Sequence, residues 1–171
     1  MDYTAHYHSP LGSITMASDG EVLVGLWFDG QRHFAETLDK EHQPRENLPV
    51  FEQTRRWLDI YFSGKTPDFT PPLAMRTTEF RRRVWEVMLT IPFGRTMTYG
   101  EIARIIARER GQKSMSAQAV GGAVGHNPIS LIIPCHRVVG AGGALTGYAG
   151  GIDKKQWLLR MEQQDTSFTW L

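Results

Sequence analysis

The 171-residue sequence holds a single cysteine, Cys135. One thiol rules out an internal disulfide and a multi-cysteine metal site. No apolar run is long enough to span a bilayer, which excludes a membrane-spanning helix. The opening Met1-Asp2-Tyr3-Thr4-Ala5-His6 lacks the basic start and apolar stretch of a secretory signal. A lone thiol without such a signal predicts a reducing, cytoplasmic setting. Internal repeats and low-complexity tracts are absent. Net charge is nearly absent too, at +1, so total charge points to no partner.

The charge that is present is unevenly spread. Residues 1–75 carry 6 Lys+Arg against 11 Asp+Glu, a balance of −5, and residues 76–171 carry 13 against 7, a balance of +6. A basic C-terminal half suggests a polyanionic partner for that half alone, against the alternative of ordinary surface charge. An apolar content of 41% and five tryptophans suffice for a core. The length suits one domain or two small ones.

Alternating patterns predict strands over Tyr3–Ser9, Gly12–Ser18 and Val22–Phe28. A short helix over Arg32–Leu38 and a polar loop over Glu41–Pro49 follow. An amphipathic helix over Val50–Phe62 carries Phe51, Trp57, Leu58 and Tyr61 on one stripe. Lys65–Leu73, with three prolines and no periodicity, reads as a linker. The division is therefore an N-terminal domain at 1–75 and a C-terminal domain at 76–171.

The second half reads as mainly helical. Thr78–Thr90 is amphipathic, Pro92-Phe93-Gly94 breaks the chain, and Thr98–Glu101 is a capping-box pattern opening a helix. The stretch Ser116–Gly125 is almost bare of bulk. Glycine inside a helix costs up to ~1 kcal/mol relative to alanine. Either tight helix packing or close approach to a ligand would account for it. A helix, a loop and a small-residue helix in a basic domain are compatible with a helix-turn-helix. Gly140–Gly151 reads as a glycine-rich flap or irregular loop. A last amphipathic helix spans about Lys154–Gln163.

Cys135 lies in Ile132-Ile133-Pro134-Cys135-His136-Arg137-Val138. By itself it is either a buried small residue or a nucleophile beside a base and a cation. The wider pattern points further. Ala119-Val120-Gly121-Gly122-Ala123, Asn127-Pro128, Pro134-Cys135-His136-Arg137-Val138, Tyr148 and Gly150-Gly151 resemble, in order and spacing, the alkylguanine-DNA alkyltransferases, or methylated-DNA–protein-cysteine methyltransferases. The resemblance is strongest over residues 78–160.

That resemblance implies a two-domain α+β, α-rich fold. The N-terminal part would be a small antiparallel sheet with a helix, ribonuclease-H-like, and the C-terminal part a winged-helix-like domain with a helix-turn-helix. It implies a protein that flips O6-alkylguanine out of double-stranded DNA and takes the alkyl group irreversibly onto Cys135. His136 would accept the thiol proton, Tyr99 would donate one to the leaving base, and Asn127 would orient the turn. Val124, Ser130, Tyr148, Ala149 and Gly150 would line the base pocket. Gln118, Ala119, Gly121, Gly122 and Arg137 would meet DNA. No cofactor or metal is implied, and a monomer is. Cysteine-bound zinc, held by some members in the N-terminal domain, is not available here, because that half has no cysteine.

Two departures stand out. Gln118 occupies the place expected to hold an intercalating arginine. Gln156 occupies the place expected to hold the glutamate of a Cys–water–His–Glu chain. Gln156 could still accept the imidazole N–H but offers no charge, and Asp153 is a remote substitute. Asp153 and Gln156 also read as a capping box for the last helix.

Overall fold

The computed structural model describes residues 1–164. The described chain forms two compact units: Met1–Arg76 with Pro128–Ser130, and Thr77–Asn127 with Leu131 onward.

In the first unit, β1 (Asp2–Ser9), β2 (Gly12–Ser18) and β3 (Leu23–Phe28) form an antiparallel meander. Gly12 closes the first hairpin at φ +111, a conformation open to glycine at little cost. A strand not expected from the sequence, β4 (His42–Pro44), pairs in parallel with β1, giving the order β3-β2-β1-β4. All three β4 residues are exposed, so they carry no hydrophobic signal. Residues 32–38 are not helical. His33 and Ala35 adopt positive φ, and the chain makes successive four-residue turns instead, closed by bonds between residues three apart.

Helix α1 (Pro49–Phe62) buries Val50, Phe51, Thr54, Trp57, Leu58 and Tyr61. Strand β3 is buried along its whole length. Its outer edge is closed by two short segments: Leu23 bonds Pro72 and Ala74, and Leu26 bonds Pro128 and Ser130. The proline-rich stretch is thus partly docked on the sheet. The Trp27 ring lies over Gly25, where a Cβ would fall 2.0 Å from it. Buried Asp2 accepts from both Arg76 Nη atoms, at 2.6 and 2.7 Å.

The second unit contains α2 (Glu79–Leu89), α3 (Tyr99–Glu109), α4 (Ala117–Gly125) and α5 (Ile152–Glu162). Each of the first three is capped by the side chain before it: Thr78, Thr98 and Ser116. Thr98 and Glu101 complete the capping box expected from sequence. Helices α2, α3 and α4 pack on one another, with α3 and α4 in helix-turn-helix order. The Trp85 indole N–H donates to the Ala123 carbonyl at 2.8 Å and ties α2 to α4.

Two very short strands position the rest. In β5 (Met97–Thr98) and β6 (Val138–Val139), Met97 pairs with Val138 and Thr98 with Val139, in parallel. Two-residue strands have too little period to be read from sequence. They nevertheless fix the start of α3 beside the chain leaving the Cys135 motif. Helix α5 begins after Gly151 at φ +100 with no side-chain cap, so Asp153 and Gln156 form no capping box.

Candidate active site around Cys135

The turn carrying Cys135 is built by its backbone. Leu131 is buried in the left-handed region at φ +72. Pro134, at φ −82 and ψ 69, centres an inverse γ-turn in which the Cys135 N–H donates to the Ile133 carbonyl at 2.8 Å. The Asn127 amide donates to the same carbonyl at 2.8 Å, and its side chain also hydrogen-bonds Cys135. Cys135–Arg137 then form one turn of 3-10 helix.

That turn directs His136 and Arg137 at a residue the sequence reading did not single out. His136 is fully buried, and its Nε2 lies 2.5 Å from Glu162 Oε2. Arg137 donates from Nε to Glu162 Oε1 at 2.8 Å, from Nη2 to Oε2 at 3.2 Å and from Nη1 to the Ile91 carbonyl at 2.8 Å. The Gly94 N–H adds a bond to Oε1 at 3.0 Å. Gly94 holds φ +81, and a Cβ there would sit 3.2 Å from the Glu162 carbonyl, so this close approach favours glycine.

Glu162, not Gln156, is therefore the carboxylate that meets His136. The two lie on one helix six residues apart, which at about 100° per residue puts them on different faces. Gln156 is exposed and lines a surface cleft with Thr96, Leu159 and Arg160. Asp153 is also exposed. The available signal was the inward stripe Lys155, Leu158, Glu162, spaced as one helix face.

Charge follows from this packing. Burial alone would raise the Glu162 carboxyl, but His136 and Arg137 outweigh it and hold the group at about 2. It is a carboxylate, which only accepts, so His136 Nε2 carries the hydrogen and the neutral ring keeps its lone pair on Nδ1. Burial lowers His136 below the usual histidine value, against the pull of Glu162. Burial raises the Cys135 thiol, opposed by Asn127, Lys155 and nearby backbone N–H groups. The pair at rest is thus a thiol beside a neutral imidazole, and the thiolate must be made by proton transfer.

Lys155 is a second residue missed from sequence. Its buried ammonium donates to the carbonyls of Val138 at 2.6 Å and Thr146 at 3.2 Å, joining β6 to the glycine-rich loop. Burial lowers its pKa, while Cys135 acts to raise it. On the far side of that loop the Thr146 hydroxyl donates to the Tyr99 oxygen at 3.3 Å. Tyr99, first residue of α3, is half-buried.

The remaining expected residues divide. Tyr148 has its hydroxyl buried, and burial, Cys135 and Glu162 all hold it protonated. Ala149 and Gly150 are half-buried beside it in sequence, and Val124 is buried in α4. Ser130 is instead held in the first unit, its N–H on Leu26 and its hydroxyl 3.5 Å from Gln31 Oε1. Arg137 is no surface contact: it is 8% exposed and paired inside. On α4, Gln118, Ala119 and Gly122 are exposed and Gly121 is half-exposed. A Cβ at Gly122 or Gly125 would meet nothing within 4 Å, and one at Gly121 only the Tyr99 ring at 4.0 Å. Internal packing does not demand these glycines.

Comparison with known proteins agrees with this geometry over nearly the whole chain. Residues 3–75 match the ribonuclease-like domain, and residues 79–164 the DNA-binding domain, of 6-O-methylguanine DNA methyltransferase. A methylated-DNA–protein-cysteine methyltransferase of Mycolicibacterium paratuberculosis is 43% identical over 156 residues, covering 91% of this chain and 89% of the relative. One from Methanosarcina acetivorans is 42% identical, covering 94% and 97%. The crystal structure of Mycobacterium tuberculosis OGT in complex with DNA superposes with a TM-score of 0.83 at 41% identity, over 95% of this chain and 93% of that one. With both domains matched, and with identity at this level across both, the chain belongs to the 6-O-methylguanine DNA methyltransferase family.

Proposed function

We propose that this protein repairs double-stranded DNA by direct reversal, moving the alkyl group of O6-alkylguanine onto Cys135. The observation that carries the reading is the buried His136–Glu162 pair directly following a lone, buried thiol. His136 takes the Cys135 proton at Nδ1, directly or through a water, and Glu162 stabilises the imidazolium. The sulfur then attacks the alkyl carbon. The S–C bond forms as the C–O6 bond breaks, and the electron pair leaves with the guanine, which Tyr99 protonates; the imidazolium then gives up its proton and the Tyr99 phenolate regains one, both by way of solvent. Thiol and alkylated base become thioether and guanine, so the balance closes without a cofactor. The C–S bond of the thioether does not hydrolyse under ordinary conditions, which makes each molecule single-use.

Flipping the base costs a few kcal/mol, least where pairing is already weakened. Tyr148, Ala149 and Gly150 wall the flipped base, with Val124 behind. The bare face of α4, with Gln118, Ala119, Gly121 and Gly122, lies against the minor groove. Cations of residues 76–171 supply phosphate contacts, which makes binding salt-dependent. A reducing cytoplasm suits a thiol that must stay unoxidised, and the protein acts as a monomer.

Incubation with a methylated duplex should add one methyl group to the peptide containing Cys135, and Cys135→Ala should bind but not transfer. Tight lesion binding with no mass change would instead mark a non-catalytic lesion-recognition protein.

A further inference from the structure

Arg137 follows the nucleophile and base directly in sequence, and it was expected to meet DNA. Its environment is internal. The guanidinium spans both Glu162 oxygens and caps the Ile91 carbonyl, and it sits 5.7 Å from the centre of the Phe93 ring. Glu162 Oε1 is held by Arg137 Nε and the Gly94 N–H, while Oε2 receives His136 Nε2 and Arg137 Nη2. A planar fork fixes a carboxylate in orientation as well as in charge, which a lysine does not do.

We propose that Arg137 is a positioning residue for thiol activation: it locks the Glu162 carboxylate plane against His136 Nε2, and so leaves Nδ1 as the nitrogen that takes the Cys135 proton. The guanidinium has a second effect. Arg137 balances the Glu162 charge at rest, so the carboxylate holds the imidazole without itself capturing the proton. The side chain acts through Glu162 and touches neither the base nor the phosphates. This rests on Cys135 being the alkyl acceptor, as proposed above.

The test compares Arg137→Gln, Arg137→Lys, Glu162→Gln and the double variant Arg137→Gln/Glu162→Gln with the wild type. Single-turnover methyl transfer from a methylated duplex is measured beside lesion binding and its salt dependence. Failure of the wild type to methylate Cys135 would overturn the proposed function, not this assignment. The alkylation rate of Cys135 by iodoacetamide, measured without DNA, tests the assignment separately.

Arg137→Gln should slow transfer roughly tenfold or more, the scale at which outer hydrogen-bond partners act. It should slow alkylation likewise and leave lesion affinity and its salt slope unchanged. Arg137→Lys should fall in between. The double variant should transfer within about twofold of Glu162→Gln alone, because both changes remove one interaction. It also removes both buried charges, so it remains folded where Arg137→Gln alone strands Glu162. The proposal is overturned if Arg137→Gln, or the double variant relative to Glu162→Gln, lowers the salt slope by about one contact. It is equally overturned if the two single losses multiply in the double variant, or if Arg137→Gln transfers at the wild-type rate.

Discussion

At the residue scale, the chemistry turns on which side chain meets His136. Glu162 is 4% exposed and bonded to a base and a cation, whereas Gln156 is exposed on another face of the same helix. Glu162→Gln should therefore slow methyl transfer by orders of magnitude. The loss should stay below the ~10⁴ seen when the carboxylate of a Ser-His-Asp triad becomes an amide. Gln156→Glu should leave the rate unchanged within about twofold. Single-turnover transfer measures both, and a faster Gln156→Glu variant would return the proton relay to that position. Because burial holds His136 below the usual histidine value of 6.5, the acid limb of the transfer rate should lie below pH 6.5.

At the element scale, α4 is a helix whose glycines are not required by its own domain. Alanine is favoured over glycine inside a helix by up to ~1 kcal/mol, and a Cβ at Gly122 meets nothing within 4 Å. Gly122→Ala should raise the melting temperature and at the same time weaken DNA binding, since the added methyl stands on the exposed face. A thermal melt paired with a DNA titration would show the two effects moving apart. Loss of stability in Gly122→Ala would mean that the glycine serves internal packing. The ladder β5–β6 shows a different lesson: two residues on each side place Tyr99 and the Cys135 turn in register, though neither strand has a readable pattern.

At the scale of the whole molecule, buried charge makes stability depend on pH. Glu162 is held at about 2 against an ordinary 4.5, and Asp2 is lowered by Arg76 against the opposing effect of its own burial. A depressed carboxylate contributes above its unfolded pKa, and that contribution is lost as pH falls through the folded value. His136 adds to the same trend: below 6.5 its unfolded form binds a proton that the buried ring refuses. Melting temperature should decline on acidification from about pH 6.5 and most steeply between 4.5 and 2. Glu162→Gln should flatten the lower part of that curve, and a wild-type curve level from pH 7 to 4 would contradict this reading.

Local chemistry made much of this protein legible in its sequence. Strands β1 to β3, helix α1 and the capped helices α2 and α3 follow from periodicity and caps, because both are set by residues close in the chain. The Pro134-Cys135-His136 motif, the bare α4 and the basic second half pointed to the nucleophile and to its partner. Tertiary structure alone decided the rest. Strand β4 exists because an exposed segment pairs with β1, 40 residues away at Asp2 and His42. Arg137 turned inward and Glu162 became its partner because contacts across 25 and 26 residues fixed one face of α5 against the Cys135 turn. A sequence names the nucleophile. Which carboxylate meets the histidine beside it depends on the face a distant helix presents, and only packing selects that face.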